Sequence, residues 1–266
     1  MATRSHCALA AALLVAMAAT STQSPHGQGS ARITDGKAAR LGQFPHQALV
    51  LGDGSHICGG SLITKTAVLT TAYCTVNWKE FTIRLGSVRR DRNESTSWIV
   101  VASWVVAHPD YDTEGYYGHN VAVIFLPQSA PLSSFIALVT LPSSSEVNET
   151  FVGRTALLSG WGRQFAGKPF SDVLLFTEVT VIPNSVCELQ FEADTILEST
   201  LCAGNKHSGL CSGDWGGALV LKSTDGYKQI GIASFFHNCN EPLPGAFSRM
   251  TYYLDWIKST ADITTD

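Results

Sequence analysis

The residues of this chain from which chemistry could be assembled are its eight histidines, its seven cysteines and the run Cys211-Ser212-Gly213-Asp214-Trp215-Gly216-Gly217. A nucleophilic centre needs a nucleophile, a base within hydrogen-bond reach and a group that orients the base. Ser212 lies near Trp215, His119 neighbours Asn120, and His237 follows Phe236, but each of these also fits an ordinary loop position. His46, His56 and His108 sit where packing or turn roles suffice. No Cys-x-x-Cys and no His-Glu-x-x-His spacing occurs, so neither a metal nor a cofactor is expected.

Cysteine usage points to an oxidising compartment. Arg4 and His6 precede an apolar stretch from Ala8 to Ala19, followed by Thr20-Ser21-Thr22. That order describes a secretory signal over about residues 1–21, too short to span a bilayer comfortably. Cys7 falls inside it, leaving Cys58, Cys74, Cys187, Cys202, Cys211 and Cys239, an even set that reads as disulfides. Asn93 and Asn148 head Asn-x-Ser/Thr triplets in polar stretches, so both are candidate glycosylation sites of a secreted chain. The net charge is −4 and no basic run occurs, which argues against a nucleic-acid partner.

The elements that must position any site are short β-prone runs broken by Gly, Pro, Asn, Asp and Ser. They include His46–Leu51, Ser61–Ile63, Thr66–Thr70, Phe81–Leu85, Trp98–Val106 and Val121–Leu126. A second series comprises Arg154–Ser159, Leu174–Ile182, Ala218–Leu221, Ile230–Phe236 and Ala246–Arg249. Such spacing predicts an all-β sandwich or barrel. Pro127–Ser145 reads as a connector between two halves. Tyr253, Trp256 and Ile257 share one face of a C-terminal helix capped by Thr251, with Asp262–Asp266 expected to fray.

Several motifs, in order, resemble the trypsin-like serine protease family. Arg32-Ile33-Thr34-Asp35-Gly36 looks like its activation junction. His56-Ile57-Cys58-Gly59-Gly60-Ser61 and Thr70-Thr71-Ala72-Tyr73-Cys74 resemble the segments around its catalytic histidine. Asn120-Val121-Ala122-Val123 resembles the strand with its aspartate, and Cys211-Ser212-Gly213-Asp214-Trp215-Gly216-Gly217 the loop with its serine. Gly160-Trp161-Gly162 and Tyr253-Leu254-Asp255-Trp256-Ile257 complete the match. The resemblance implies an all-β fold of two packed six-stranded antiparallel barrels with a C-terminal helix. A short pro-segment, 22–32, would precede the domain at 33–266, whose barrels would cover about 33–141 and 142–266. It also implies disulfides Cys58–Cys74, Cys187–Cys202 and Cys211–Cys239.

The departures from the family bear on chemistry. The resemblance places Tyr73 where the histidine belongs, Asn120 where the aspartate belongs and Trp215 where the serine belongs. A phenol with a pKa near 10 is a poor base at neutral pH, an amide cannot balance an imidazolium, and an indole has no nucleophilic oxygen. Removing a whole triad costs about 10⁶-fold in turnover in subtilisin, roughly 8 kcal/mol of transition-state stabilisation. The oxyanion donors would be the backbone of Gly213 and Trp215. The specificity pocket would be lined by Gly209, Leu210, Ser234, Phe235, Phe236 and Gly245, with Phe236 obstructing its mouth. Ile33, freed by cleavage after Arg32, would pair with Asp214. The expectation is therefore a secreted, non-catalytic protease homologue that acts on an unknown protein partner. Tyr116 and Tyr117, flanked by Gly115 and Gly118, are candidate partner contacts. The alternative is a weak or rebuilt-site serine-type endopeptidase.

Overall fold

A computed structural model describes Met1 and residues 36–112, 118–192, 194–205, 209–241 and 243–264. The signal and pro-segment, with Arg32 and Ile33, lie outside the described residues, as do Tyr116 and Tyr117.

The first half holds β2 (Gln47–Gly52), β3 (His56–Thr64), β4 (Ala67–Thr70), β5 (Phe81–Leu85), β6 (Trp98–Ala102), β7 (Trp104–Ala107) and β8 (Ala122–Phe125). They form one antiparallel sheet in the order β6-β5-β2-β3-β4-β8-β7. The strands expected as one run, Trp98–Val106, divide at Ser103, so the two ends of the sheet are consecutive in the chain. Because β6 and β7 are the two parts of one expected run, these seven segments make up the first of the two expected barrels, present as a half-barrel. A positive φ at Asp53 (43°) and Gly54 (75°) turns β2 into β3, the backbone that an Asp-Gly hairpin favours.

The second half holds β9 (Thr155–Gly160), β10 (Leu175–Ile182), β11 (Thr200–Gly204), β12 (Ala218–Ser223), β13 (Gly226–Phe235) and β14 (Gly245–Arg249). These close as β9-β10-β11-β14-β13-β12 and back to β9, the expected six-stranded barrel. The short β1 (Lys37–Ala38) adds to β10, so the start of the chain is fastened to the second barrel. Alternation in β10 sends Leu175, Thr177, Val179 and Val181 inward while Glu178 and Thr180 stay exposed, which fixes the register.

Each half has its own core: Val50, Leu62, Phe81 and Ile83 in the first, Leu158, Val179, Leu219 and Phe247 in the second. A third cluster joins them, with Leu49, Leu69, Val123, Leu157 and Ile232 packed with Tyr253 and Ile257 of the terminal helix. That helix runs Met250–Thr260 with Arg249 at its N-cap. Thr251 is a buried residue of its first turn and not the cap, because β14 feeds the helix two residues earlier than the capping signal suggested. The tail is not frayed at Ile263, which packs against the shared core while its N–H donates to the Lys258 carbonyl.

At the seam the two backbones touch. The Gly59 N–H donates to the Trp215 carbonyl at 2.7 Å. A Cβ on Gly59 would come within 2.8 Å of the Gly217 Cα, and one on Gly216 (φ 81°) within 2.1 Å of the Thr70 hydroxyl. Buried polar pairs flank this contact: Ser61 Oγ donates to Gln229 Oε1, and Ser159 Oγ to Gln47 Oε1, both at 2.7 Å.

Candidate functional site

Tyr73, Asn120 and Trp215 come from three separate segments and meet at the seam. Tyr73 sits in a one-turn 3₁₀ helix, Ala72–Cys74, that follows β4. Its backbone N–H donates to Asn120 Oδ1 at 2.9 Å. Asn120 immediately precedes Val121 and β8, after His119 has turned the chain with a φ of 52°. It is 1% exposed, and its Nδ2 donates to Ser234 Oγ at 2.9 Å. Its carbonyl accepts from Ser248 Oγ at 2.7 Å. The amide thus spends its donor on β13 and its acceptor on the Tyr73 turn, tying the two halves together.

Around this knot the side chains are aromatic. The Tyr73 and Trp215 rings lie 5.1 Å apart, tilted by 57°. Trp215 stacks on Phe236 at 5.9 Å and faces His56 at 6.4 Å with planes 11° apart. His56 in turn stacks on Trp78 at 4.7 Å. Trp78 lies flat on Gly52, where a Cβ would come within 2.7 Å of its ring. Four rings therefore form a continuous pile, Trp78, His56, Trp215 and Phe236, with Tyr73 against its middle. Aromatic pairs of this kind contribute about 0.5–1.5 kcal/mol each beyond burial. Desolvation lowers the His56 pKa, and its Nε2 is buried without a hydrogen-bond partner, so the ring is neutral and serves as packing.

His56 and Trp78 were not singled out by the sequence as site residues. A signal existed for one of them. The Cys58–Cys74 disulfide, with Cα atoms 6.3 Å apart, brings the chain just before Cys58 beside the Tyr73 turn. The other two expected bridges are also formed, Cys187–Cys202 and Cys211–Cys239, with Cα separations of 6.2 and 5.0 Å. All three separations lie in the ordinary disulfide range.

The remaining pocket residues fall on two sides. Leu210 is buried and stands over Gly245, where a Cβ would come within 2.7 Å of the leucine Cδ1. Gly209 abuts the Leu243 carbonyl, with an added Cβ at 3.0 Å. Ser234 is held by Asn120, and Phe236 is in the aromatic pile. Phe235 does not line the same space. Neighbouring residues of an extended chain point opposite ways, and Phe235 packs behind, against Phe191 and the Cys187–Cys202 bridge.

Asp214 is completely buried between Gly213 (φ 96°) and Trp215. Its Oδ1 accepts from the Gly162 N–H at 2.9 Å and its Oδ2 from the Cys211 N–H at 3.1 Å. Burial pushes its pKa up to about 7, against the pull of those two donors. Gly160 and Gly162 leave the space it occupies, since a Cβ on either would meet its oxygens at 2.2 or 2.4 Å.

Of the other candidates, His119 stacks on His108 at 4.6 Å, and both rings contact Tyr253 of the terminal helix. His237 is exposed near Phe191, and the Ser212 carbonyl accepts from the Arg163 N–H. Asn93 and Asn148 are both exposed, the first in a loop and the second in a turn. His108, Asp110 and His119 offer ligand atoms within 4.8 Å of one another. The two imidazole planes there are only 19° apart, so their lone pairs run nearly parallel instead of converging on one ion. Among the described residues no helix is long and apolar enough to cross a membrane.

Two β-barrels packed edge to edge, with a cluster of loop residues at their junction, define a protein of the two-barrel protease fold. A family model described as Trypsin matches residues 33–257. The chain is 33% identical to Serine protease 1 of Drosophila melanogaster, over 91% of each chain. It is also 33% identical to a venom serine protease of Bombus ignitus, over 84% of this chain and 67% of that one. A solved HL collagenase structure superposes with a TM-score of 0.78 at 32% identity, covering 87% of this chain and 99% of that one. The chain belongs to the trypsin family.

Proposed function

We propose that this member of the trypsin family is a secreted protein that does no peptide-bond chemistry and acts by binding another protein. The observation that carries the reading is the aromatic pile of Trp78, His56, Trp215 and Phe236, with Tyr73 at its side, at the junction of the barrels. Acyl transfer needs an oxygen or sulfur nucleophile with a base beside it. Here the corresponding space holds an indole and a phenol, and the nearest imidazole, His56, lies between two indoles. Asn120 presents an amide already committed to Tyr73 and Ser234. Leu210 standing over Gly245 and Phe236 stacked on Trp215 would resist entry of a substrate side chain or an inhibitor loop. The partner surface therefore lies on the surrounding loops, which a rigid double barrel presents well. Three disulfides, and relatives named as venom proteases, support an extracellular setting.

The reading includes a switch. Cleavage after Arg32 would free an amino group at Ile33 able to neutralise Asp214, whose buried carboxylate accepts, among the described residues, from two backbone donors. Pairing would order the loop 209–217 without creating a catalytic centre. Amide exchange over Gly209–Gly217 before and after nicking tests this, and unchanged protection would remove the switch from the proposal.

The test of the main reading is a covalent serine-hydrolase probe and a broad peptide panel applied to the purified secreted protein. The expected result is no labelling and no turnover above a heat-denatured control. Saturable hydrolysis that follows the protein through every column would replace this reading with that of an enzyme, as the relatives' names suggest for them.

A further inference from the structure

Away from the barrel junction, a cleft of about 460 Å³ opens between the turn at Val147–Thr150 and the start of the terminal helix. This is the size of a small-molecule site. Its wall is built and held. Arg249 donates from Nε to the Glu198 carbonyl at 3.1 Å, and from Nη2 to the Thr200 carbonyl at 2.7 Å and Asn184 Oδ1 at 3.4 Å. Asn184 Nδ2 donates to the carbonyls of Leu197 and Thr200, both at 3.0 Å. These bonds fix the guanidinium and the amide before any ligand arrives. The apolar part of the cleft is Tyr252 and Val147, 49% and 51% exposed. An aromatic ring beside a guanidinium, a carboxamide, the Glu198 carboxylate and the hydroxyl of Thr150 suits a sugar, which has one apolar face and a rim of hydroxyls.

The cleft also names its occupant, because Asn148 is one of its lining residues. Asn148-Glu149-Thr150 is an N-glycosylation triplet, and Asn148 is exposed in a turn. Anything bonded to the Asn148 side chain starts at the wall of the cleft, at the high effective concentration of a tethered ligand.

We propose that Asn148 carries an N-linked glycan whose first N-acetylhexosamine rings lie in this cleft, one of them against Tyr252. The bond is made in the secretory compartment. Asn148 Nδ2 loses a proton and bonds to sugar C1, while the C1–O bond to a lipid diphosphate carrier breaks and the carrier leaves with the electron pair. The glycan then covers the exposed faces of Tyr252 and Val147 and joins the Val147–Thr150 turn to the terminal helix. Asn93, in an exposed loop, is the comparison within the same molecule.

The test uses the full chain, expressed with its own N-terminal segment in insect cells and recovered from the medium. Native and denatured samples are treated with peptide N-glycosidase in ¹⁸O water, and conversion at each asparagine is followed by mass spectrometry. The expected result is release from Asn148 at least tenfold slower in the native protein than after denaturation. Tyr252→Ser, on an exposed helix position, is expected to bring native release within about threefold of the denatured rate. Three results would each overturn the proposal: an unmodified Asn148, equal release in the two states, or a glycan on Asn93 protected to the same degree. So would a Tyr252→Ser protein whose Asn148 glycan stays as slow as before.

Discussion

Replacing Asp214 by asparagine should make the uncut protein more stable at pH 8 and less stable at pH 4. In the folded chain burial lifts this carboxyl from 3.8 to about 7. The folded state therefore holds the proton more tightly than the unfolded chain, and the stability this contributes is complete below about 3.8. It is lost progressively as the pH climbs to about 7, above which both states are ionised. At 1.36 kcal/mol per decade, the ionised group at pH 8 carries a penalty on the order of 4 kcal/mol relative to the protonated one. Asparagine removes that penalty but not without loss. Its Oδ1 still accepts from Gly162, whereas its NH₂ would face the Cys211 N–H that Oδ2 now accepts, a loss of about 1–3 kcal/mol. The net gain at pH 8 is about 1–3 kcal/mol, and the net loss at pH 4 is of similar size. For a chain of this size each kcal/mol moves Tm by about 2–4 °C. Thermal unfolding of Arg32→Gln and Arg32→Gln/Asp214→Asn proteins between pH 4 and 8 measures the difference, the first substitution preventing release of a pairing amine. Other titrating groups cancel between the two proteins. A difference that keeps one sign across the whole range would refute the argument.

His46 should give the opposite acid behaviour. It is buried between Phe44 and Tyr227, its Nε2 lacks a partner, and desolvation lowers its pKa from 6.5 to about 3. Its contribution is complete above about 6.5 and falls as the pH drops toward 3, by about 2 kcal/mol at pH 5, and His46→Phe should abolish that slope in denaturant titrations. Asn120→Ala should cost about 2–4 kcal/mol by the same assay, because it strands the buried Tyr73 N–H and Ser234 hydroxyl. Gly216→Ala should be at least as damaging, since its Cβ has no space against Thr70 and Gly59. A Tyr73→His/Asn120→Asp/Trp215→Ser protein should accept a serine-hydrolase probe that leaves the parent unlabelled. Failure of a folded triple variant to label would mean that the loops, and not just the three side chains, have left the catalytic geometry.

Much of this architecture could be read from residue patterns, for identifiable reasons. Strands such as Phe81–Leu85 and Leu175–Ile182 declare themselves by alternation. Thr200–Gly204 does not, being short and buried along its length without alternation, and it exists as a strand because β10 and β14 pair with it on either side. The break at Ser103 is invisible locally, since it depends on where the sheet must bend to meet β8. At the site, motif order was enough to bring Tyr73, Asn120 and Trp215 together. It could not show that Trp78 and His56 extend the pile, because no periodicity links residues 56, 78 and 215. Phe235 and Phe236 look equivalent in the sequence, and only the extended chain at the end of β13 sends them to opposite sides.

The glycine-to-glycine contact between Gly59 and Gly217 has a consequence for how the polypeptide would respond to being cut. With main chains in direct contact, and Gln47, Ser61, Ser159 and Gln229 interlocked across the junction, neither half can slide or rotate without breaking several buried bonds at once. A protease that severed the surface connector should therefore leave both pieces clasped, co-eluting on size exclusion and melting in one transition, as parts of a single cooperative unit.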